Sequence, residues 1–466
     1  MRNSRLFRAI EATAVLLFLV QAVRVLFSVL FGIIYDTIFT EEIPLTTMGV
    51  IMLCVIAAFL TPLAAPRRNR RVLLLTAALV AALARVAVTI NQPTVRLWSS
   101  MLVIAAAGVY AATLLRQRPR LFPTALIMAF AADQFLRAAG NTYDVSLRAW
   151  WLPVQAALSI ATGVVAWLAF SRSQSEESSA DESISILGGL AVGALLFLET
   201  SLLGFPNALA RWTGVRYSIV APLLMAFTLA PLMAGSRQGQ YQMFRGKWTS
   251  LVWPMLALFA LVTATEKYGT IGVLGLLLFV QFPILLALFR VSIPSRVDQT
   301  RIALVLGMLL FLLLNFALAF AFTYPYTIPA FRDKGRYVLM VAVVIVYLPA
   351  LLHKPAKPET PSLKPQAWRW LPVVFVVLLT IAFAWPPAFT PKQTGPVRVA
   401  TYNMHYGYNT PWQFSLEEQA RTIEESGADI VVLQEVDACR ITSYGVDDAL
   451  WLARRLGMQE VYGPAL

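Results

Sequence analysis

The sequence is poor in charge, histidine and cysteine, and each shortage removes a class of explanation. Charged side chains make up 14% of its 466 residues, where soluble proteins carry roughly 25%. A water-soluble globule is thereby excluded for most of the chain. The two cysteines, Cys54 and Cys439, lie far apart, one in an apolar run and one in the polar C-terminal stretch. They provide neither a disulfide framework nor the spaced thiols of a zinc site. Of the two histidines, His353 ends an apolar run and reads as an interfacial residue, and no histidine follows His405. Walker-type phosphate loops, Gly-x-Ser-x-Gly elbows and His-Glu-x-x-His helices are missing as well. The short basic start, residues 1–8, leads into an apolar run too long for a removable signal peptide and without a small-residue cleavage site.

What the chain has in quantity is apolar sequence: 58% hydrophobic residues and a mean hydropathy of +0.67. This predicts a polytopic α-helical membrane protein with a small polar end. Apolar runs long enough to be spans fall near 12–34, 44–64, 72–90, 97–115, 121–139, 150–170, 184–205, 217–235, 249–264, 270–290, 302–322, 337–352 and 371–389. That is about 13 spans: six in a first membrane region, residues 1–170, and seven in a second, residues 184–390. Between them residues 171–183 (SRSQSEESSADES) read as a flexible cytoplasmic linker. The Pro/Lys-rich stretch 353–370 reads as extended, and Gly395-Pro396 as a short hinge.

Charge sets an expected orientation. Every second loop is basic, as in Arg67-Arg68-Asn69-Arg70-Arg71, and together with the N-terminus this side holds 21 Lys/Arg against eight in the opposite loops. The positive-inside rule then places the N-terminus in the cytoplasm. An odd number of spans places everything after Phe389 outside it. The net charge of +13 divides accordingly: from Pro391 onward the balance is −4, so the membrane part carries +17. A nucleic-acid footprint would put the basic surface on the polar end, so nucleic acid fits poorly as a partner and membrane lipids fit better.

Five charged residues, Arg24, Arg85, Asp133, Arg137 and Glu199, fall inside apolar runs. There each costs a few kcal/mol (~2.5–3.5) unless paired or hydrated. Asp133 and Arg137 are four apart, the spacing of a pair on one helix face. Either these residues open a polar cavity for a lipid head group or other solute, with Asp133, Arg137 and Glu199 as candidates, or they pair structurally.

The polar end begins with two β-branched runs, Val397-Arg398-Val399-Ala400-Thr401-Tyr402-Asn403-Met404-His405-Tyr406-Gly407 and Ala428-Asp429-Ile430-Val431-Val432-Leu433-Gln434-Glu435-Val436-Asp437. Between them Ser415-Leu416-Glu417-Glu418 has the pattern of a capping box, opening a helix that Gly427 would end. Strand, helix and strand predict a parallel pair with Asn403 and Glu435 at the strand C-terminal ends, where open α/β sheets hold ligands. A carboxylate beside a carboxamide suits a hard divalent cation and a phosphate oxygen. Residues 444–457 read as a second amphipathic helix, burying Leu450, Leu452, Ala453 and Leu456, and 458–462 as the start of a third strand.

These residues resemble the opening of the endonuclease/exonuclease/phosphatase superfamily, whose first strand reads Thr-Tyr-Asn-x-His/Arg-x-Gly and whose second reads Asp-Ile-Val-x-Leu-Gln-Glu-Val. Leu452-Ala453-Arg454-Arg455-Leu456-Gly457-Met458 extends the likeness. The resemblance implies that residues 396–466 are the first part of an α/β DNase-I-like sandwich domain. It makes Glu435 the ligand of Mg²⁺ (or Mn²⁺), Asn403 a residue positioning phosphate and catalytic water, and His405 a further member of the catalytic motif. The family's second acidic ligand, Gly-Asp-Phe-Asn motif and Ser-Asp-His motif are not in the sequence, so the domain is expected to be incomplete here. A multi-span region ahead of such a domain is similar in architecture to eukaryotic proteins that remodel the lipid of GPI anchors.

Two functions follow as expectations. One is a membrane-tethered, Mg²⁺-dependent phosphoesterase, a phosphodiesterase acting on lipid or glycolipid outside the cytoplasm. The other is a transporter or lipid-handling membrane protein with an accessory, non-catalytic soluble domain. Thirteen spans are more than an anchor needs, which speaks for the second.

Overall fold

The first helix, α1 (Arg2–Tyr35), is the axis of the molecule: 83% of its most apolar stretch is buried by the helices around it. In this computed structural model the described residues are 2–66, 70–172, 182–233, 247–294, 298–322, 328–352, 370–389 and 396–463. The remaining helices of the bundle are α2 (Leu45–Leu60), α3 (Arg70–Val88), α4 (Pro93–Gln117), α5 (Leu121–Ala139), α6 (Leu152–Ser171), α7 (Ile186–Ser201), α8 (Pro206–Thr213) and α9 (Tyr217–Met233). They continue as α10 (Lys247–Thr263), α11 (Gly269–Leu276), α12 (Phe282–Ala287), α13 (Thr300–Phe322), α14 (Gly335–Leu352) and α15 (Leu371–Ala384). The expected linkers 171–183 and 353–370 and the hinge at Gly395 lie wholly or largely outside the described residues.

The bundle is that of a helical membrane protein, but the expected count of thirteen spans is not reached. Among the described residues eight helices are long and apolar enough to cross a membrane, or nine if α7 and α8, bent 68° apart, count as one. Each of the other expected spans is helical and falls short for a physical reason. The apolar helices Tyr217–Met233, Ser250–Thr263 and Leu371–Ala384 have at most 17 residues. At 1.5 Å per residue they reach about 26 Å at most, short of a hydrocarbon core about 30 Å thick. The helix α5 has the length but carries Asp133, Gln134 and Arg137.

With lipid tails as apolar as leucine, helices associate by close packing. Gly189 and Gly193 on α7, four residues apart, meet Gly307 on α13 so closely that a Cβ at any of the three would collide with the opposing backbone.

The buried charges pair in a way the sequence spacing does not suggest. Asp133 does not bond Arg137. Arg24 on α1 faces it instead, donating to Asp133 at 2.7 and 2.9 Å and to Asp144 at 2.5 Å. Gln21 and Ser146 also bond Asp144, and Arg85 donates to both Gln21 and Ser146. Arg137 points the other way, to Asn207 Oδ1 at 2.8 Å and the Gly445 carbonyl at 2.5 Å, with its guanidinium 3.8 Å from the Phe205 ring centroid. The Arg24 guanidinium is a long fork that reaches two carboxylates at once.

The two ends of the bundle differ. At one, Arg116 pairs with Asp298 at 2.8 Å and donates to the Ala65 carbonyl, and strand β1 (Glu182–Ile184) pairs antiparallel with β2 (Ser292–Pro294). At the other, where α1 ends, residues 396–463 sit directly on the helices. Their order is β3 (Val399–Asn403), α16 (Leu416–Ser426), β4 (Ile430–Gln434) and α17 (Asp448–Leu456). The strands β3 and β4 are parallel, with Asn403 opposite Gln434, and Gly427 and Gly457 end the two helices in left-handed conformation. Buried side chains from Met404 to Leu452 join the same apolar core as α1.

Three local expectations fail. Residues 396–463 build no sandwich, because one parallel pair makes a single layer. The capping box does not close: Ser415 gives its N–H to the Gly407 carbonyl and makes no side-chain cap. Over residues 458–462 no third strand forms, and Glu460 turns instead to Arg211, 2.5 Å away.

Candidate functional site

The three residues singled out at the strand ends, Asn403, His405 and Glu435, line one cleft of about 640 Å³. Asn403 closes β3, and its side-chain oxygen accepts the His405 N–H at 2.8 Å, turning the chain sharply. His405, Tyr406 and Glu435 all have φ between 47° and 57°, the left-handed region that costs a non-glycine residue about 1–2 kcal/mol. Backbone bonds hold them there: Tyr406 N–H to the Glu435 carbonyl at 2.9 Å and Met404 N–H to the Gln434 carbonyl at 3.0 Å. Strain of this kind concentrates where a fold aims particular side chains, and here it aims two of the three.

The imidazole of His405 is placed by aromatic packing. Its ring centroid lies 4.6 Å from Trp412 and 5.8 Å from Tyr35 at the end of α1. Trp412 is fixed in turn by donating its indole N–H to Asp36 at 2.6 Å. Glu435 is exposed, with Glu418 and Thr422 of α16 across the cleft. Tyr406, half-buried beside it, has its phenol pKa raised by burial and then by the Glu435 charge, so it stays a neutral hydrogen-bonding group.

The donor set does not complete a metal centre. Among the described residues no group of three or more His, Cys, Asp or Glu side chains could hold an ion. Glu435 supplies one carboxylate, and the Asn403 oxygen is engaged with His405. Mg²⁺ asks for near-octahedral oxygen ligation, which these residues alone do not give.

A second, larger space adjoins the cleft. It measures about 2310 Å³ and lies between the membrane helices and the inner side of the C-terminal unit. Met52 of α2, Phe27 of α1, Leu313 and Phe316 of α13 and Val432 of β4 are among its walls, and Tyr406 and Glu435 border it too. Glu435 therefore faces both the polar cleft and the apolar cavity.

The other sequence candidates lie elsewhere. Asp133 is consumed in the Arg24 network and Arg137 at the docking interface, so neither opens a cavity. Glu199 is buried at the end of α7. Burial pushes the Cys439 thiol up to about 12, which keeps it protonated and unreactive. Sequence reasoning missed the docking contacts. Arg96 donates to the Tyr444 hydroxyl at 2.9 Å, Arg211 pairs with Asp447 at 2.7 Å, and Ser28 accepts the Tyr444 N–H at 2.9 Å. The only signal was the density of aromatics from Tyr402 to Phe414.

Compared with protein-family models and with curated proteins, the chain matches none.

Proposed function

We propose that the protein is a membrane-embedded phosphoester-handling protein whose C-terminal unit carries the opening half of a phosphoesterase site for lipid or glycolipid substrates. The observation that carries this is the position of Glu435 on the wall shared by a polar cleft and an apolar cavity, with Tyr406 lining the cavity beside it. An amphiphile with a phosphate head and acyl tails fits such a pair of spaces, and a DNA strand does not need the second. The superfamily resemblance of residues 397–437 supports the same chemistry. In it Glu435 is the first carboxylate of a Mg²⁺ or Mn²⁺ centre, Asn403 orients the phosphate and His405 stands beside it. That centre requires acidic ligands and a histidine additional to those described above.

The proposed orientation puts the N-terminus in the cytoplasm and residues 396–463 outside. It is supported by the basic loops and by the contact of the C-terminal unit with the end of α1 remote from Arg8. The lipid reading is tested by reconstituting the chain with a phospholipid bearing a photoactivatable acyl chain. Crosslinks should concentrate on Met52, Leu313 and Phe316 and fall when Leu313→Trp fills the cavity. Crosslinks spread evenly over outward residues such as Leu83 and Ile160 would remove the reading.

A second reading, transport of a solute, is favoured by one observation: the chain breaks between α7 and α8 at 68° immediately after a buried carboxylate.

A further inference from the structure

Glu199 is 2% exposed, and neither of its carboxylate oxygens meets full hydrogen-bond geometry, the Gln281 side chain alone lying close enough to interact. It sits in the last turn of α7, directly under the break. The Gly204 N–H returns to the Glu199 carbonyl at 3.1 Å, and a Cβ on Gly204 would stand 3.1 Å from Glu199 Oε2. Its polar neighbour is the side chain of Gln281, which closes a π-helical turn, Leu277–Gln281. Such turns interrupt helices most often at functional positions. Gln281 and Gln134 of α5 both give their amide N–H to the Thr228 hydroxyl of α9, each at 3.1 Å. That leaves Gln134 Oε1 and Gln281 Oε1 buried and unpartnered as well. Three elements, α5, α7 and the π-helical turn, thus carry four unsatisfied buried oxygens, linked through Gln281 and Thr228 of α9.

A buried acceptor left unpaired is costly, more so when charged, and an unpaired carboxylate at membrane depth is a functional-site signature. A proton on Glu199 gives it one O–H to donate, which can reach a single acceptor such as Gln281 Oε1, and leaves Gln134 Oε1 bare. A cation stripped of water satisfies carboxylate and carboxamide oxygens together, and oxygen donors of this kind select hard ions. A monovalent ion also leaves the site neutral beside Glu199, because the nearby Asp133 charge is already met by Arg24. A divalent ion would leave a net positive charge in low dielectric. Broken helices are where membrane proteins commonly build such sites. Ser201 and Leu202, next along the chain, line the large apolar cavity, which gives the cluster a neighbouring route of access.

We propose that Glu199, Gln134 and Gln281 form an intramembrane binding site for a monovalent alkali cation. The proposal rests on observations separate from the C-terminal cleft and stands or falls independently of it.

The test uses the full chain in detergent or nanodiscs, with radiolabelled Na⁺ binding and thermal unfolding in NaCl, KCl or choline chloride at equal ionic strength. Wild type should bind Na⁺ or K⁺ saturably and unfold at higher temperature in that salt than in choline. Glu199→Gln, nearly isosteric, should weaken binding by at least about tenfold, equivalent to about 1.4 kcal/mol, while eluting as wild type does. Gln134→Leu, on a different helix, should weaken it too and serves if Glu199→Gln fails to fold. No difference between alkali salts and choline for the folded wild type, the result expected of a site that takes only a proton, overturns the proposal. So does saturable binding unchanged in Glu199→Gln.

Discussion

Trp412 packs its indole against Gly32 and gives its N–H to Asp36, 2.6 Å away, so a loop near the C-terminus is held by the last turns of the first helix. A Cβ at position 32 would stand 2.8 Å from the Trp412 ring. Gly32→Val should therefore dislodge Trp412 and release the His405 turn, at an overpacking cost of about 1–3 kcal/mol. Protease nicking between residues 405 and 414 reads the effect, with Gly49→Val, at a position with nothing within 4 Å, as the control. Equal resistance in both variants would contradict the linkage.

The pair of Arg211 and Asp447 should dominate docking of residues 437–463. Asp447 is 1% exposed and takes two bonds from the guanidinium, at 2.7 and 2.8 Å. Arg211→Met strands a buried carboxylate, expected to cost about 3–5 kcal/mol. Arg211→Met with Asp447→Asn should recover much of the loss. Hydrogen exchange in α17 measures both.

Docking should tighten on mild acidification. Burial raises the carboxyl pKa of Asp437, and that of Asp448 furthest. A folded pKa above the unfolded one means that the folded form binds more protons. The associated stability is complete below the unfolded value, ~3.9 for Asp, and is lost as pH rises through the folded values. Glu417, lowered by its hydrogen bond to Arg455, works in the opposite sense, but it is exposed enough for solvent to weaken its effect. Exchange protection of α17 should rise as pH falls from neutrality, after correction for intrinsic rates. A steady decline would contradict this.

Residues 1–466 by themselves should not hydrolyse a bis-aryl phosphate in Mg²⁺ or Mn²⁺ faster than their Glu435→Gln variant. One carboxylate and an occupied amide do not assemble the ion. A metal-dependent rate that Glu435→Gln abolishes would show that the cleft suffices.

The orientation can be read with an impermeant thiol reagent. Asn409 is a poor labelling position, since both ends of its amide bond Gln413. Thr410 is exposed. Thr410→Cys, in a chain with Cys54→Ala and Cys439→Ala, should label in intact cells. Labelling only after lysis would reverse the assignment.

The helices were legible because long apolar runs have one stable answer in lipid. The span count was not, because hydropathy does not show that α9 and α15 stop short or that α7 turns at Gly204. The strand–helix–strand unit was legible from β-branched runs and Gly427. The partner of Asp133 was hidden: local spacing offered Arg137, while the fold supplied Arg24 from 109 residues away. The convergence of Asn403, His405 and Glu435 followed from strand register. The cavity behind them belongs to no local pattern, since its walls come from α1, α2, α13 and β4.

Arg96, Arg137 and Arg211 find their partners in Tyr444, Gly445 and Asp447. During synthesis those three guanidiniums emerge more than two hundred residues before the groups that receive them. Until then Arg96 and Arg137 rest on acceptors within the bundle, the Leu147 carbonyl and Asn207 Oδ1, while the side-chain partners of Arg211 have still to be made. Synthesis of residues 444–447, rather than insertion of the helices, is the moment at which the docked arrangement can form.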